Sequence, residues 1–232
     1  MTITPSPENR PLSAADRIYS LDTTPPVDYE PETPIDYAAA SLTQLADHFK
    51  TDKGSIKHLY TEVYETYFAP LRHQPGLRLL EIGVACGSSL KTWSRYFSDA
   101  QITGVDIRPE CRALCSGYPN IRIEIANATQ QALPGSWDII IDDGSHVSAD
   151  IVDAFRLNWA TLKPGGLYVI EDLKCTHNPD YPKLLPFDIP PERFNRVHFM
   201  VLINQLLMQM DWRKSDVAFI HFYREMAVIR KK

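Results

Sequence analysis

Two apolar runs in this chain lack polar alternation, and each stops at a pair of acids: WDIIIDDGSH (137–146) and GGLYVIEDL (165–173). A strand with one wet face alternates apolar and polar side chains. Three consecutive isoleucines, Ile139, Ile140 and Ile141, instead need cover on both faces, as in a parallel sheet flanked by helices. The rest of the chain keeps the same rhythm. Strand-like segments at 77–82, 101–106, 121–125, 138–141 and 167–171 alternate with helical ones at 88–96, 109–116 and 148–162, which predicts an α/β fold with crossovers on both faces. Near the C-terminus, DVAFIHF and EMAVIRK are separated by only Tyr223 and Arg224, so they read as an antiparallel hairpin closing one sheet edge.

The acids at the strand ends carry the first chemical argument. In open α/β sheets, ligands sit outside the carboxyl ends of the strands. Neighbouring strands would gather Asp142, Asp143, Glu171 and Asp172 at one rim, where like charges repel unless a cation or a proton lies between them. The cluster therefore reads as a hard-metal site. The competing reading is that the acids cap the helices that follow, a role Asp fills well; capping needs one acid per helix rather than two.

A chain of 232 residues suits one sizeable domain, here expected over 41–232. Residues 1–40 hold Pro5, Pro7, Pro11, Pro25, Pro26, Pro31 and Pro34, a density that excludes continuous helix or central strand. They read as a tail, or as an arm docked through Ile18, Tyr19, Val27 and Tyr29. Helical periodicity around SLTQLADHF and HLYTEVYETYFAPL marks 41–76 as a helical lid region, broken by TDKGS. After Glu171 the stretch 174–215 begins with a long loop carrying His177, Tyr181 and Asp188, of a kind that covers binding sites. A helix at 192–210 follows, whose Val197, Val201, Leu207 and Met210 suit core or subunit interface. A net charge of −5 argues against a broad nucleic-acid footprint. No segment has the length and apolarity of a membrane span or a signal peptide, and Cys86, Cys111, Cys115 and Cys175 have neither CxxC nor zinc spacing. A cytoplasmic protein with reduced thiols is expected, with no nucleic-acid or membrane partner and with room for a homo-oligomer.

In LRLLEIGVACGSSLKTW, Gly83 and Gly87 fall between a strand and a helix that opens at Ser88. Glycines there let backbone amides approach a ligand at the helix N-terminus. Asp106, at the end of the next strand, is placed to accept ribose hydroxyls. A nicotinamide dehydrogenase shares such a turn, but its usual pattern is GxGxxG; here the acid Glu81 precedes the first glycine, opposing a diphosphate and favouring a ligand with a cationic end.

Together these features resemble class I methyltransferases that use S-adenosylmethionine, for which a Rossmann-like, seven-stranded, mostly parallel sheet of order 3-2-1-4-5-7-6 follows, with helices on both faces and an antiparallel C-terminal hairpin. Over residues 50–175, the segments TDKG, HLYTEVYETYF, LLEIGVACGSSLKTW, ITGVDI, WDIIIDDGSH and PGGLYVIEDL are similar to the metal-dependent sugar O-methyltransferases of the macrolide (mycinamicin and macrocin) and mycobacterial methylmannose polysaccharide kind. That resemblance implies a divalent ion, Mg²⁺ or Mn²⁺, on Asp143, Glu171 and Asp172, with His146 as general base. It implies S-adenosylmethionine against Glu81, Gly83, Gly87, Ser88 and Asp142, with its ribose on Asp106. Where the family usually carries an acid for the adenine amino group, this chain has Asn127 and Ala128; Asn127 still offers a carbonyl oxygen.

The implied reaction is methyl transfer to a sugar hydroxyl of a glycosylated natural product or polysaccharide. A metal lowers the pKa of a ligated hydroxyl, and an imidazole three residues beyond Asp143 can accept its proton near neutral pH. Lys53, His58, Tyr60 and Tyr181 are candidate substrate contacts, Lys53 or His58 reaching the methionine carboxylate or a substrate oxygen. Two rival functions use the same residues: a metal-dependent O-methyltransferase of a catechol-like phenol, and a module that binds S-adenosylmethionine or a nucleotide without turnover.

Overall fold

The computed structural model describes residues 26–184 and 189–232. Seven strands form one sheet in the order β3-β2-β1-β4-β5-β7-β6, as the resemblance implies. They are β1 (Leu77–Ile82), β2 (Ala100–Asp106), β3 (Ile121–Ile125), β4 (Trp137–Asp142), β5 (Leu162–Ile170), β6 (Val217–Tyr223) and β7 (Met226–Lys231). β1 to β5 pair in parallel, while β7 runs antiparallel to both β5 and β6. The helices are α1 (Leu42–His48), α2 (Tyr60–Phe68), α3 (Ser88–Tyr96), α4 (Ser148–Asn158) and α5 (Val197–Asp211). This is the Rossmann-like methyltransferase fold.

The isoleucine run explains itself once both sheet faces are in view. Successive side chains of a strand point to opposite faces. Ile139 and Ile141 enter the core that Leu42, Leu45, Phe49, Phe68 and Trp93 close from one side. Ile140 enters the opposite core, closed by Ile151, Phe155, Phe199 and Leu202. All three isoleucines have no exposed surface, which is worth roughly 1.5–3 kcal/mol for each side chain.

The helices of 41–76 are part of that first core. Leu42, Leu45, Phe49 and Phe68 are fully buried, and a Ser41–Gln44 capping box starts α1. The turn between α1 and α2, together with Tyr60 and Tyr64 at the start of α2, meets the strand tips.

Three elements differ from the sequence reading. The helix expected at 109–116 is a 3₁₀ turn, Pro109–Ala113, because Cys115 enters the left-handed region at φ 59° and the chain must turn at once into β3. The hairpin turn falls on Arg224 and Glu225, with Tyr223 paired to Met226. In α5 the buried face is Phe199, Leu202, Ile203 and Leu206, whereas Val197, Val201 and Leu207 are 58%, 44% and 47% exposed. The mostly apolar helix gives periodicity two candidate stripes, and packing against α4 chose the other one.

Of the proline-rich arm, residues 26–40 are described and docked. Lys91, itself buried, reaches Asp28 at 2.6 Å, Glu30 at 2.7 Å and the Tyr29 carbonyl at 2.6 Å. Arg72 donates to the carbonyls of Tyr37, Ala38 and Ala40. Ile18, Tyr19 and Asp188 lie outside the described residues. Among the described residues, no helix is long and apolar enough to cross a membrane.

Candidate active site

Three hydrogen bonds sew four strand tips, those of β2, β1, β4 and β5, into one rim. The Asp143 amide donates to the Ile82 carbonyl at 2.9 Å, the Glu171 amide to the Asp142 carbonyl at 3.0 Å, and the Gly83 amide to the Val105 carbonyl at 2.8 Å. The β4–β5 register sets Asp142 opposite Ile170, so Asp143 and Glu171 leave their strands side by side. Asp172 and His146 both hold left-handed backbone conformations, φ 52° and 55°, which are uncommon for residues other than glycine. The result is a compact trio. His146 Nε2 lies 3.7 Å from Asp172 Oδ2 and 4.0 Å from Asp143 Oδ1, and ligand atoms of Asp143, His146 and Asp172 all fall within 4.8 Å of one another.

Glu171 is at the rim but faces elsewhere. It is 2% exposed; one oxygen accepts from Lys53 Nζ at 2.7 Å and the other from the Tyr64 hydroxyl. Lys53 does not reach out toward a substrate or a methionine carboxylate, as the sequence suggests. It is instead buried, with Nζ 2.5 Å from Asp143 Oδ2 and 3.7 Å from Glu81 Oε1. The reason is charge: the strand tips present three carboxylates to one interior space, and this ammonium is the cation that fills it. Burial opposes its charge, but Asp143, Glu171, Glu81 and Asp52 hold its pKa well above the ordinary lysine value. One ammonium cannot neutralise three carboxylates, so burial and mutual repulsion push Asp143 and Glu171 upward. Asp172 goes the other way: burial would raise it, but His146, His58 and the Tyr60 hydroxyl hold it well below the usual range.

Tyr60 and Tyr181 are buried and serve this scaffold. The Tyr60 hydroxyl donates to Asp172 Oδ1 at 2.5 Å, and the Tyr181 hydroxyl donates to the Ser145 carbonyl at 2.9 Å, bracing the turn that carries His146. His58 lies among three acids, 3.7 Å from Asp52, 3.9 Å from Asp172 and 3.6 Å from Glu225. Glu225 is a site residue that sequence reasoning misses; it arrives from the β6–β7 turn at φ 62°, and His58 and Lys174 hold its carboxyl at about 2 against the effect of burial. Its only signal is an acid in a tight turn between apolar strands.

On the other side of the rim, Gly83 and Gly87 take φ 94° and 76°, and α3 opens at Ser88 behind Gly87. A Cβ at Gly83 would stand 2.1 Å from the Asp143 carbonyl oxygen. Asp106 accepts from the Val84 amide at 3.0 Å and from the Arg108 amide at 2.9 Å and Nε at 3.2 Å. Burial would raise its pKa, but Arg108 and these amides lower it. Asn127 differs from expectation: its carbonyl oxygen already accepts from the Thr129 amide at 2.9 Å and hydroxyl at 2.8 Å, a local turn that uses the acceptor assigned to adenine. Ala128 is buried beneath it. Glu81 and Asp142 lie under the rim rather than on it, at 0% and 5% exposure, and burial pushes each up to about 7. All four cysteines are free thiols.

Residues 80–173 match the methyltransferase-domain family. The chain is 39% identical over 154 residues to the 8-demethyl-8-alpha-L-rhamnosyl tetracenomycin-C 2'-O-methyltransferase of Streptomyces olivaceus, covering 60% of this chain and 39% of that protein. It is 33% identical over 156 residues to the mycinamicin VI 2''-O-methyltransferase of Micromonospora griseorubida, covering 60% and 38%. Each match thus spans well under half of the relative. Among solved structures, the MycE methyltransferase of the mycinamycin biosynthetic pathway, in complex with Mg and SAH, superposes with a TM-score of 0.66 at 27% identity, covering 83% of this chain and 55% of that one. The same enzyme with Mg, SAH and mycinamycin VI gives 0.66 at 26% identity. Residues 80–173 thus match a methyltransferase-domain model, and the relatives to which the chain is similar are sugar O-methyltransferases.

Proposed function

We propose that this chain transfers a methyl group from S-adenosylmethionine to a sugar hydroxyl of a glycosylated natural product, using a divalent cation at the β4–β5 rim and His146 as general base. The observation that carries the reading is the convergence of Asp143, His146 and Asp172 within 4.8 Å, just past the tips of β4 and β5, with Asp143 against the Gly83 turn. The donor set fits Mg²⁺, which prefers carboxylate oxygen and keeps sites open for other oxygens. Asp143 and Asp172 would hold it, with Glu171 as third carboxylate once its present partners make way. Bound there, the ion would supply the positive charge that makes a ligated sugar hydroxyl more acidic.

The chain's own groups do the rest. His146 Nε2 takes the hydroxyl proton as the oxygen attacks the methyl carbon and the sulfonium departs as a thioether. Asp172, 3.7 Å away, stabilises the imidazolium that results, and Tyr60 fixes Asp172 in turn. Asp106 receives the ribose hydroxyls with Arg108 swung aside, and the Gly83–Gly87 turn admits the donor close to backbone. The MycE complexes with SAH, Mg and mycinamycin VI support the assignment of both cofactors and of a small glycoside as acceptor.

Labelled-methyl transfer to a panel of rhamnosyl and macrolide glycosides tests the reading. Transfer is expected with Mg²⁺ or Mn²⁺, is lost in EDTA and returns when the metal is restored. Undiminished transfer after exhaustive chelation would remove the metal role. Tight S-adenosylmethionine binding with no transfer to any glycoside, but transfer to a catechol or to nothing, would move the function to one of the rival readings.

A further inference from the structure

We infer that Lys53 is a two-position cation: it bridges Asp143 and Glu171 while no divalent ion is bound, and it shifts onto Glu81 when the ion takes those carboxylates. The inference rests on the metal reading above and adds a role for a side chain that neither transfers protons nor meets the acceptor.

The placement of Nζ argues for it first. An ammonium with 1% of its side chain exposed is tolerated only where carboxylates surround it, and here they come from the tips of three different strands: Glu81 of β1, Asp143 after β4 and Glu171 after β5. Two of the three are carboxylates proposed to hold the divalent ion. A monovalent and a divalent cation sharing Asp143 and Glu171 at contact distance would repel strongly in so dry a space. One of them has to yield, and the lysine is the one on a flexible four-carbon stem.

The neighbouring acid supplies the destination. Glu81 is fully buried, and its Oε2 accepts from Trp93 Nε1 at 2.9 Å, yet Oε1 is buried and makes no hydrogen bond. Buried acceptors are nearly always paired. The Ser89 hydroxyl also faces this carboxylate, and the cationic donor nearest to Oε1 is Lys53 Nζ at 3.7 Å, so a shift of about an ångström toward Glu81 would bring the pair to ordinary bonding distance. The backbone can stay where it is: the Lys53 carbonyl accepts from the Thr61 amide at 3.1 Å, anchoring the turn to α2. Loading the metal half would then transmit a charge movement to the strand that ends in the Gly83 turn.

Calorimetry with Mg²⁺ and Mn²⁺ on the full chain, together with ¹⁵Nζ resonances of buried lysine ammonium groups, tests this. Lys53→Met is expected to bind Mg²⁺ at least 10-fold more tightly. Glu81→Gln should weaken Mg²⁺ binding in the wild-type background and have no effect in Lys53→Met, since Glu81 acts through the lysine. In the wild type, the Lys53 ¹⁵Nζ signal, assigned by through-bond correlation along the Lys53 side chain, should move in proportion to bound Mg²⁺. An equal Glu81→Gln effect in both backgrounds overturns the inference. So does unchanged or weaker Mg²⁺ binding by Lys53→Met, or a ¹⁵Nζ signal unmoved at saturating Mg²⁺; that last measurement needs no variant to fold. If neither the wild type nor Lys53→Met binds a divalent ion, the metal reading falls and takes this inference with it.

Discussion

The two halves of the rim are held together in different ways. On the donor side, polar groups find partners close by in the chain: Asp106 is met by Arg108 and Asn127 by Thr129, each two residues on. On the acceptor side the partners come from far away. Lys53 meets Asp143 and Glu171 across 90 and 118 residues, Tyr64 meets Glu171 across 107, and Tyr60 meets Asp172 across 112. The donor half is therefore a property of each strand-to-helix turn. The acceptor half exists only when the turn between α1 and α2 has closed onto finished strands. Left-handed non-glycine backbone, a cost that functional sites tend to carry, occurs in both halves, at Asp172 and His146 and at Ala85 of the glycine turn. The buried ammonium, by contrast, belongs to the acceptor half.

That contrast can be broken at four points. The largest effect is expected at His146→Ala, which should lower kcat by about 10²- to 10⁴-fold while leaving the calorimetric affinity for S-adenosylmethionine within about twofold of wild type. A matching loss of donor affinity would mean the halves are not separable. Next is Glu81→Gln, at the seam between them. The Glu81 carboxyl titrates at about 7 in the fold and near 4.5 when unfolded, so the folded state holds a proton the unfolded chain has lost. Wild-type stability should then fall as pH rises from about 4.5 to 7 and level off above, by at most about 3 kcal/mol. The Gln variant should show a shallower decline in denaturant melts taken across the same range, the remainder coming from Asp142, which burial also pushes up to about 7; a decline equal to wild type would place the titration elsewhere.

Asp106→Ala should weaken S-adenosylmethionine binding by about 10- to 100-fold, the worth of charge-assisted hydrogen bonds to a ribose, with kcat at saturating donor nearly retained. If kcat collapses instead, Asp106 acts on the acceptor half as well. Smallest is Tyr60→Phe, which frees one oxygen of Asp172. About a 3- to 10-fold drop in kcat is expected, with metal affinity little changed, and a variant as active as wild type would show that Asp172 needs no hydroxyl to orient it.

The same contrast decides how much of the molecule is legible in its sequence. The strand order follows from the resemblance to class I methyltransferases, whereas the alternation of strands and helices, the acid pairs at the tips of β4 and β5 and the glycine turn follow from short-range pattern: burial on both faces for Ile139 to Ile141, and glycines where φ must be positive. Partnerships across a hundred residues leave no periodic trace. Lys53 looks like a free reaching side chain because nothing in TDKG announces three carboxylates waiting at strand ends. Glu225 is invisible for a related reason, being an ordinary turn residue until the hairpin folds it beside His58. Asn127 misleads locally: an Asn two residues before Thr satisfies its own turn, and that competes successfully with the ligand role. In α5 the periodicity leaves core and subunit interface open, since a helix apolar on several sides does not state which side its neighbours will cover: Met210 packs partly buried against the core while Val197, Val201 and Leu207 are exposed in the single chain.

Gly83 leaves space for nothing larger than hydrogen between the donor turn and the carbonyl of Asp143. Any side chain there would press directly on Asp143 and Gly144, at the head of the turn that carries His146, so whatever widens one side of the rim must displace the other. Under the proposed methyl transfer, bulkier donor analogues and bulkier glycosides will accordingly meet a shared wall, and gains in one substrate dimension will be traded against the other at this single position.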